Sequence, residues 1–371
     1  MPVLPNTAAM TPEKITAGIF RPEILALSAY HVADARGLIK LDAMENPYDW
    51  PDTLINQWLV ELRESQLNRY PDPQARELTA TIRQVMHIPD SSGLLLGNGS
   101  DEIIQLLIMA LTDNSVVLAP EPSFVMYAQI SRCLGHRYQG MPLLAKDFAL
   151  DMPALREAID RHRPALIFLA YPNNPTGNLF DEQDMLEILR LAPGLVIIDE
   201  AYAPFTDASF MAKLPEFPNL LVMRTVSKMG LAGLRLGYIA GSRKIIEQLD
   251  KVRLPYNINT LSQISAEFAL SHKALFDRQT GEIRRQRSWL NEQLHTLTGI
   301  TVYPSEANFI LFRCEENPAQ SIFQGLKKQG ILIRNLHPQD GLLQHCLRVT
   351  VGKPEENQTF IQALKNILPD G

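Results

Sequence analysis

Short runs of apolar residues recur through the middle of the chain and alternate with amphipathic stretches. Within each run the apolar residues are consecutive, which is typical of a strand that is covered on both faces. Two of the intervening stretches, 152–161 and 182–191, carry apolar residues at helical spacing. This alternation predicts an α/β domain built on a mostly parallel sheet. The predicted strands are 116–119, 165–170, 195–198, 220–224 and 236–240.

The pattern before these strands is different. The first thirty residues are rich in proline and turn formers, which predicts an arm rather than a core element. Apolar residues then recur at helical spacing from 74 to 87. A glycine-rich turn, 97–100, follows a short apolar run, and we expect Ser100 to cap a second helix. Asp101 and Glu102 fit the negative charge that the first turn of a helix favours.

The pattern changes again after about residue 255. Long helical periodicity is followed by a mixture of short apolar runs and helical stretches, which predicts a smaller α+β domain. We therefore divide the chain into an N-terminal arm (1–40) that packs with the small domain, a large domain (41–255) and a small C-terminal domain (256–371). The predicted elements of the small domain are a helical region at 262–297, strands at 301–302, 308–312, 331–334 and 347–351, and helices at 319–329 and from 355.

Composition narrows the class of protein. The 371 residues are enough for two domains, and 46% hydrophobic with 20% charged residues is typical of a globular protein. A formal net charge of -6 argues against a nucleic-acid binder, which needs clustered lysine and arginine. No apolar stretch approaches the roughly 20 residues that span a bilayer, and residues 1–9 lack the pattern of a secretory signal. We expect a cytoplasmic protein with no membrane or nucleic-acid partner.

The three cysteines give no evidence for a metal site or a disulfide. Cys133, Cys314 and Cys346 are far apart and form no C-x-x-C pair. The sequence therefore offers neither a zinc site nor a disulfide framework. We expect reduced thiols and no bound metal.

Four polar segments fall at or near the carboxyl ends of predicted strands, where open α/β sheets bind ligands. Each segment is weak evidence alone, since an N-P-T-G sequence is usually only a turn and one glycine-rich turn is poor evidence for phosphate binding. Their combination, in this order and at these separations, is more specific. The segments are G-N-G-S-D-E at 97–102, Y-P-N-N-P-T-G at 171–177, D-E-A-Y at 199–202, and S-K at 227–228 with G-L-A-G-L-R-L-G at 230–237.

The residue types in these segments fit a site for pyridoxal phosphate. Lys228 offers an amine that can form an imine with an aldehyde. Asp199 offers an anionic partner for a pyridine nitrogen, so that the ring can withdraw electrons. Asn174 and Tyr202 offer hydrogen-bond donors to the phenolic oxygen of the ring.

The cofactor phosphate has its own candidates. A hydroxyl from Ser227, a guanidinium from Arg235 and the backbone amides of the helix N-terminus at Ser100 are available. These are groups that bind phosphate in proteins. Phe124, in the segment E-P-S-F, offers a ring that could stack on the cofactor, although a place in the core explains it equally well.

The order of these motifs strongly resembles that of the fold-type I aminotransferases, over most of the chain. Further segments resemble the histidinol-phosphate aminotransferases in particular. One is L-D-A-M-E-N-P at 41–47, which is similar to that family's L-D-x-N-E-N-P. Another is R-Y-P-D-P at 69–73, which is similar to the family's segment of the same letters. S-E-A-N-F at 305–309 and L-R-V-T-V-G at 347–352 are similar to its S-x-A-N-F and L-R-I-T-V-G.

The resemblance implies a fold and a reaction. The fold is that of a fold-type I transferase, α/β, with a large domain whose mostly parallel seven-stranded sheet is covered by helices, and a smaller α+β domain. The large domain would bind pyridoxal 5'-phosphate. The reaction is the ping-pong transfer of an amino group between L-glutamate/2-oxoglutarate and histidinol phosphate/imidazole-acetol phosphate in histidine biosynthesis.

The resemblance also assigns roles at the cofactor. Lys228 would hold the cofactor as a Schiff base and then move protons, with Asp199 at the pyridine nitrogen and Tyr202 at the phenolic oxygen. Tyr70 would reach the cofactor phosphate from the neighbouring subunit, which implies a homodimer with active sites completed across the interface. The remaining cofactor-binding residues would be Ser100, Asp101, Phe124, Asn174, Ser227 and Arg235.

The substrates would be bound by arginine. Arg348 is the expected partner of the glutamate α-carboxylate and of the histidinol phosphate group, helped by Arg334 and Tyr30, because a guanidinium fork suits both anions. Asn46 is a further predicted substrate-binding residue. Arg334 has an alternative interpretation as an ion-paired arginine within a strand.

The sequence departs from the family pattern in two places. Met44 stands where the family often has asparagine, which removes one polar contact. Arg235 follows Lys228 by seven positions, one fewer than in many relatives.

Other functions stay open at this stage. The same residues would serve an aminotransferase for aromatic amino acids or a decarboxylase of threonine phosphate. A non-catalytic binding protein with this fold would have no need for both Lys228 and Asp199.

Overall fold

The computed structural model describes residues 11–29, 33–314, 318–337 and 341–368, and its strands form two sheets. The strands are β1 (Ile39–Leu41), β2 (Ser92–Gly97), β3 (Val116–Glu121), β4 (Arg137–Pro142), β5 (Leu166–Ala170), β6 (Leu195–Asp199), β7 (Leu220–Thr225), β8 (Gly237–Ser242), β9 (Ile300–Val302), β10 (Phe309–Cys314), β11 (Ile331–Asn335) and β12 (Cys346–Thr350). The helices are α1 (Pro12–Ile19), α2 (Pro22–Leu25), α3 (Asp52–Arg63), α4 (Arg76–Val85), α5 (Ser100–Met109), α6 (Met126–Cys133), α7 (Met152–His162), α8 (Glu182–Leu191), α9 (Arg243–Asp250), α10 (Thr260–Ser271), α11 (Lys273–His295), α12 (Ala319–Lys328) and α13 (Pro354–Ile367).

The larger sheet has seven strands in the order β2-β8-β7-β6-β5-β3-β4. Within it β8 is antiparallel to both of its neighbours, and the other pairs are parallel. The prediction of a mostly parallel seven-stranded sheet is therefore confirmed, and each predicted strand of the middle region is a strand. Strand β4 was not predicted, because its half-exposed sequence R-Y-Q-G-M-P at the sheet edge lacks a continuous apolar run.

Helices cover this sheet on both faces. Alternate residues of β5 belong to different hydrophobic cores: Ile167 and Leu169 to one, Leu166 and Phe168 to the other. This is the arrangement that a continuous apolar run predicts, since successive side chains of a strand point to opposite faces. The carboxyl ends of the parallel strands are thereby left as the open edge.

The smaller sheet has the strand order β1-β11-β12-β10-β9. Its core packs β10, β11 and β12 against α11, α12 and α13, which matches the predicted mixture of strands and helices. The predicted helical region at 262–297 is two helices, because the chain breaks at His272, whose backbone is not helical. Strand β1, which pairs in parallel with β11, had no signal in the sequence pattern.

The N-terminal segment touches both sheets. β1 belongs to the smaller sheet, whereas α2 contacts α6 on the larger one, and the Arg21 guanidinium donates to the Cys133 carbonyl. The assignment of residues 1–40 to an arm that packs with the small domain stays a prediction. The domain boundaries after residues 40 and 255 stay predictions.

None of the helices that the structure describes combines the length and the apolar character required to cross a membrane.

Candidate active site

A cavity of about 260 Å³ lies at the carboxyl ends of β5, β6 and β7. The register of the sheet places Asp199 of β6 directly opposite Ala170 of β5 on one side and Met223 of β7 on the other. The loop after β1 closes the cavity with Ala43, Met44 and Glu45. The predicted cofactor-binding residues other than Tyr70 all line it: Ser100, Asp101, Phe124, Asn174, Asp199, Tyr202, Ser227, Lys228 and Arg235.

Lys228 projects into this cavity from a 3-10 turn, Ser227–Met229, directly after β7. Its Nζ lies 3.4 Å from the Ala43 carbonyl oxygen and 5.8 Å from the centre of the Tyr202 ring. Burial of the amine, together with the positive charges of Arg348 and Arg235, lowers the pKa of Lys228 to about 8. A larger share of the amine is therefore unprotonated near neutral pH, as a nucleophilic lysine requires.

Asp199 is the last residue of β6 and is buried. Its Oδ2 accepts a hydrogen bond of 2.6 Å from the Tyr127 hydroxyl, and its Oδ1 accepts one of 3.0 Å from the Ala201 N–H. Burial raises the pKa of Asp199 to about 6, while these two hydrogen bonds act in the opposite direction. The carboxylate is thus held in one orientation, and a cationic partner would stabilise its ionised form.

Tyr127 is a residue of this site that the sequence analysis missed. It lies three positions after Phe124, whose carbonyl accepts the Tyr127 N–H at 3.2 Å in the turn that leads into α6. That spacing was the available signal, but α6 itself was not predicted.

Ser100, Ser227 and Arg235 form a polar cradle at one end of the cavity. Gly97 and Thr225 both lie opposite Gly237 in the sheet, so the segments that follow β2 and β7 and the one that precedes β8 converge. The Ser227 N–H donates to the Thr225 Oγ1 at 3.1 Å.

Two glycines leave space for this cradle. A Cβ on Gly99 would lie 2.8 Å from the Arg235 guanidinium, and one on Gly237 would lie 2.8 Å from the Ser100 backbone nitrogen. Gly99, with φ of +82°, is the N-cap of α5, so Ser100 is the first helical residue and not the cap that we expected. An open helix N-terminus beside an arginine suits a phosphate group.

Arg348 on β12 reaches the cavity wall from the smaller sheet. It is buried, and its guanidinium donates to Asn174 Oδ1 and, at 3.1 Å, to the Asp42 carbonyl. Arg334 lies opposite Arg348 in the antiparallel register, so both side chains leave the same face of the sheet. No ion pair joins Arg334 to an acidic residue in the part of the chain that the structure describes, so the alternative of an ion-paired strand arginine gains no support there.

Two predicted residues, Tyr70 and Asn46, are absent from the described lining of the cavity. Tyr70 is 82% exposed and stacks on Tyr256 with ring centres 4.5 Å apart. Tyr30 lies outside the described residues. Asn46 is absent from the described lining of the cavity, because its amide donates to the Met229 carbonyl at 3.0 Å and to Gln279 at 3.1 Å. The geometry therefore gives Asn46 a supporting place behind the lysine turn, and its contact with substrate stays a prediction.

Met44 lines the cavity in an unusual conformation. Its φ of +55° is in the left-handed region, which asparagine adopts more readily than methionine. The Met44 N–H donates to Thr350 Oγ1 at 3.0 Å, and its sulfur lies 3.5 Å from the Tyr202 hydroxyl. The backbone here thus has the shape that the family's asparagine would favour, although the side chain differs.

Known proteins that are similar to this chain identify its family. The model of the family described as aminotransferase class I and II matches residues 36–364. Histidinol-phosphate aminotransferase 2 of Nitrosococcus oceani is 53% identical over 357 residues, which are 96% of this chain and 99% of the relative.

Solved structures share the fold. The histidinol-phosphate aminotransferase from Clostridium acetobutylicum superposes with a TM-score of 0.82 at 26% identity, covering 89% of this chain and 99% of that one. The histidinol-phosphate aminotransferase from Sinorhizobium meliloti, solved in complex with pyridoxal-5'-phosphate, has a TM-score of 0.83 at 21% identity and covers 94% and 97%. Because the family model spans most of the chain and a close relative aligns over nearly its whole length, the chain belongs to the aminotransferase class I and II family.

Proposed function

We propose that this chain is a pyridoxal-phosphate-dependent transaminase that moves an amino group between L-glutamate/2-oxoglutarate and histidinol phosphate/imidazole-acetol phosphate by ping-pong exchange. This is a step of histidine biosynthesis. The observation that carries the proposal is that Lys228 and Asp199 line one cavity, at the ends of adjacent strands, in a chain 53% identical to a relative of that name.

The residues of the cavity fit the cofactor. Lys228 supplies the amine that would hold its aldehyde carbon, and Asp199 supplies a buried carboxylate for its ring nitrogen. The cradle of Ser100, Ser227 and Arg235 would hold the phosphate. When bound, the cofactor supplies a protonated ring that withdraws electrons from the α-carbon of the substrate.

The protein's own part is binding and proton transfer. Lys228, once its amine is free, takes the proton from the α-carbon of the amino substrate and later returns one to the keto substrate. Its pKa of about 8 is close to the operating pH, which is the condition for an effective general base. Asp199 stays ionised beside the ring nitrogen, and Asn174 and Tyr202 orient the ring from its phenolic side.

Two arginines on one face of the smaller sheet explain how unlike substrates use one site. The guanidinium of Arg348 binds the α-carboxylate of glutamate in one half-reaction and the phosphate of histidinol phosphate in the other, with Arg334 beside it. A planar guanidinium offers paired donors that match either anion.

The proposal includes a homodimer. Tyr70 is highly exposed together with Leu67 and Leu254, which are 69% and 71% exposed, and Tyr256 stacks on Tyr70. Large apolar side chains exposed in this way favour an interface between proteins. Tyr70 would cross the interface to the cofactor phosphate of the neighbouring subunit.

We place the enzyme in the cytoplasm. All three cysteines are free, and Cys314 and Cys346 are buried without bonding to each other, which suits a reducing compartment.

The test is a single-turnover absorbance experiment on the cofactor-loaded protein without any keto acid. Histidinol phosphate, phenylalanine and threonine phosphate are mixed with it separately. Fast loss of the visible cofactor band with histidinol phosphate alone is the expected result. Equal reaction with phenylalanine would make the enzyme an aromatic aminotransferase, and release of carbon dioxide from threonine phosphate would make it a decarboxylase. Unimpaired turnover by the Lys228→Ala variant would refute the assignment of the lysine.

A further inference from the structure

The carboxylate of Asp199 is oriented from outside its own strand. One oxygen accepts from the Ala201 N–H, two residues further along the same loop. The other oxygen accepts the short hydrogen bond of 2.6 Å from Tyr127, which belongs to α6 and is 72 residues away in the chain. The Tyr127 bond therefore ties the end of β6 to the helix that follows β3.

The Tyr127 ring is enclosed by other aromatic rings. It is fully buried and stacks on Phe168 with centres 4.5 Å apart and planes at 9°. The ring of Phe124 meets it edge-on at 5.6 Å and 84°. Phe124 in turn lines the cavity, where its ring could cover the cofactor. Tyr127 therefore contacts both Phe124 and Asp199, the carboxylate that would face the ring nitrogen of the cofactor.

The Tyr127 hydroxyl acts only as a donor to Asp199. Burial, together with the neighbouring negative charge of Asp199, raises the pKa of Tyr127 well above its ordinary value, so the hydroxyl keeps its proton. A hydrogen bond from a neutral donor to an ionised acceptor is stronger than one between neutral groups, and it favours the ionised form. Other titratable groups that influence the pair are Asp101 on α5, Tyr138 on β4, and Glu200 and Tyr202 on the loop after β6.

We propose that Tyr127 is a positioning residue, whose hydroxyl fixes the plane of the Asp199 carboxylate and keeps it ionised so that the ring nitrogen of bound pyridoxal phosphate retains its proton. This inference rests on the proposed function, since it needs the cofactor ring to lie against Asp199. The aromatic ring of Tyr127 also sets the position of Phe124.

The variant that isolates the hydroxyl is Tyr127→Phe, which keeps the stacked ring. The matched control is Tyr303→Phe, which removes a buried tyrosine hydroxyl next to Phe148, away from the described lining of the cavity. The urea unfolding midpoints of the two variants show how far each loss affects the fold in general.

Two readouts report on the cofactor directly. The first is the affinity of cofactor-free protein for pyridoxal phosphate, which should fall by about 10-fold or more in Tyr127→Phe, as expected for losing a hydrogen bond to a charged group. The second is the ¹⁵N NMR signal of ring-labelled cofactor, which should move toward the unprotonated value in Tyr127→Phe. Both should match the wild type in Tyr303→Phe.

The outcomes separate the two proposals. Wild-type affinity and an unchanged ring-nitrogen signal in Tyr127→Phe would overturn the role of Tyr127 and leave the proposed function intact. Failure of the wild-type protein to bind pyridoxal phosphate at all would overturn the proposed function and this inference with it.

Discussion

Arg334 on β11 lies directly opposite Arg348 on β12, so two positively charged side chains leave the same face of the smaller sheet. Like charges in opposed positions destabilise a pair of strands, unless an anion lies between them. The buried Arg348 is held by Asn174 and by the Asp42 carbonyl. The pair therefore favours a ligand with a carboxylate or phosphate group at this face.

Arg334→Gln should separate stability from substrate binding. Removing one of two opposed charges should raise the free energy of unfolding of the ligand-free protein by about 0.2–1 kcal/mol. The same change should raise KM for both glutamate and histidinol phosphate, because a charged donor to their anionic groups is lost. Urea titration and steady-state kinetics measure the two effects. A stabilised variant with unchanged KM for both substrates would remove Arg334 from the substrate site.

The reaction of the cofactor-free protein with pyridoxal phosphate should depend on pH through Lys228. Because its pKa is lowered to about 8, the reactive amine should appear as the pH rises through about 8, well below the ordinary range of lysine. Stopped-flow absorbance at the visible cofactor band gives the rate against pH. Arg348→Gln provides the control, since removing that positive charge should move the midpoint to higher pH. A midpoint near 10 in the wild type would contradict the prediction.

Asp199 should make the cofactor-free protein less stable as the pH rises. Its pKa in the folded protein is about 6 against 3.8 for an ordinary aspartate, so the folded state binds this proton more tightly than the unfolded chain does. The resulting stability is complete below pH 3.8 and is lost as the pH rises through about 6.

Asp199→Asn removes this titration. Relative to the wild type, the cofactor-free variant should be more stable at pH 7 by on the order of 2–3 kcal/mol in the free energy of unfolding. At about pH 3.5 the variant should not be more stable than the wild type. The Tyr127 hydroxyl can turn to accept from the new amide, so that pair stays satisfied. Unfolding midpoints at the two pH values test this. The same variant should bind pyridoxal phosphate more weakly, because the charged partner of the ring nitrogen is gone.

Tyr70 and Lys228 should complement each other between subunits. Tyr70→Ala alone should weaken cofactor binding, and Lys228→Ala alone should be inactive. In a mixed dimer, the chain that carries Tyr70→Ala keeps its own Lys228 and receives an intact Tyr70 from its partner. Mixing the two variants under conditions that exchange subunits should therefore give more activity at limiting pyridoxal phosphate than Tyr70→Ala has alone. Absence of any recovery, with exchange shown by differently tagged chains, would place Tyr70 outside the neighbouring site.

Met44→Asn should stabilise the fold. Methionine at a φ of +55° is strained, whereas asparagine visits this region readily, so we expect a gain of about 0.5–1 kcal/mol in the free energy of unfolding. Met86→Asn offers a matched control, since Met86 lies outside the cavity and has a negative φ of -98°. Destabilisation of Met44→Asn would show that the contact of the sulfur with Tyr202 outweighs the backbone strain.

The sequence by itself determined the central strands of the larger sheet and the composition of its active edge. Strands buried on both faces must be continuous apolar runs, so β3, β5, β6 and β7 were visible, and the polar segments that follow them had to lie at one edge. Lys228, Asp199 and the glycine-rich turns were predicted in this way, and they line one cavity.

Only the tertiary structure decided which side chains touch. Tyr127 donates a hydrogen bond to Asp199, which is 72 residues away in the chain. Strand β1 pairs with β11, although nothing in the sequence pattern of either strand indicates this pairing. The amide of Asn46 is engaged behind the lysine turn and not in the cavity, because its donors are taken by Met229 and Gln279. Periodicity is a local property, set by whether successive side chains face water or core. Register and hydrogen-bond partners depend instead on how distant segments pack, and that information appears only when the chain has folded.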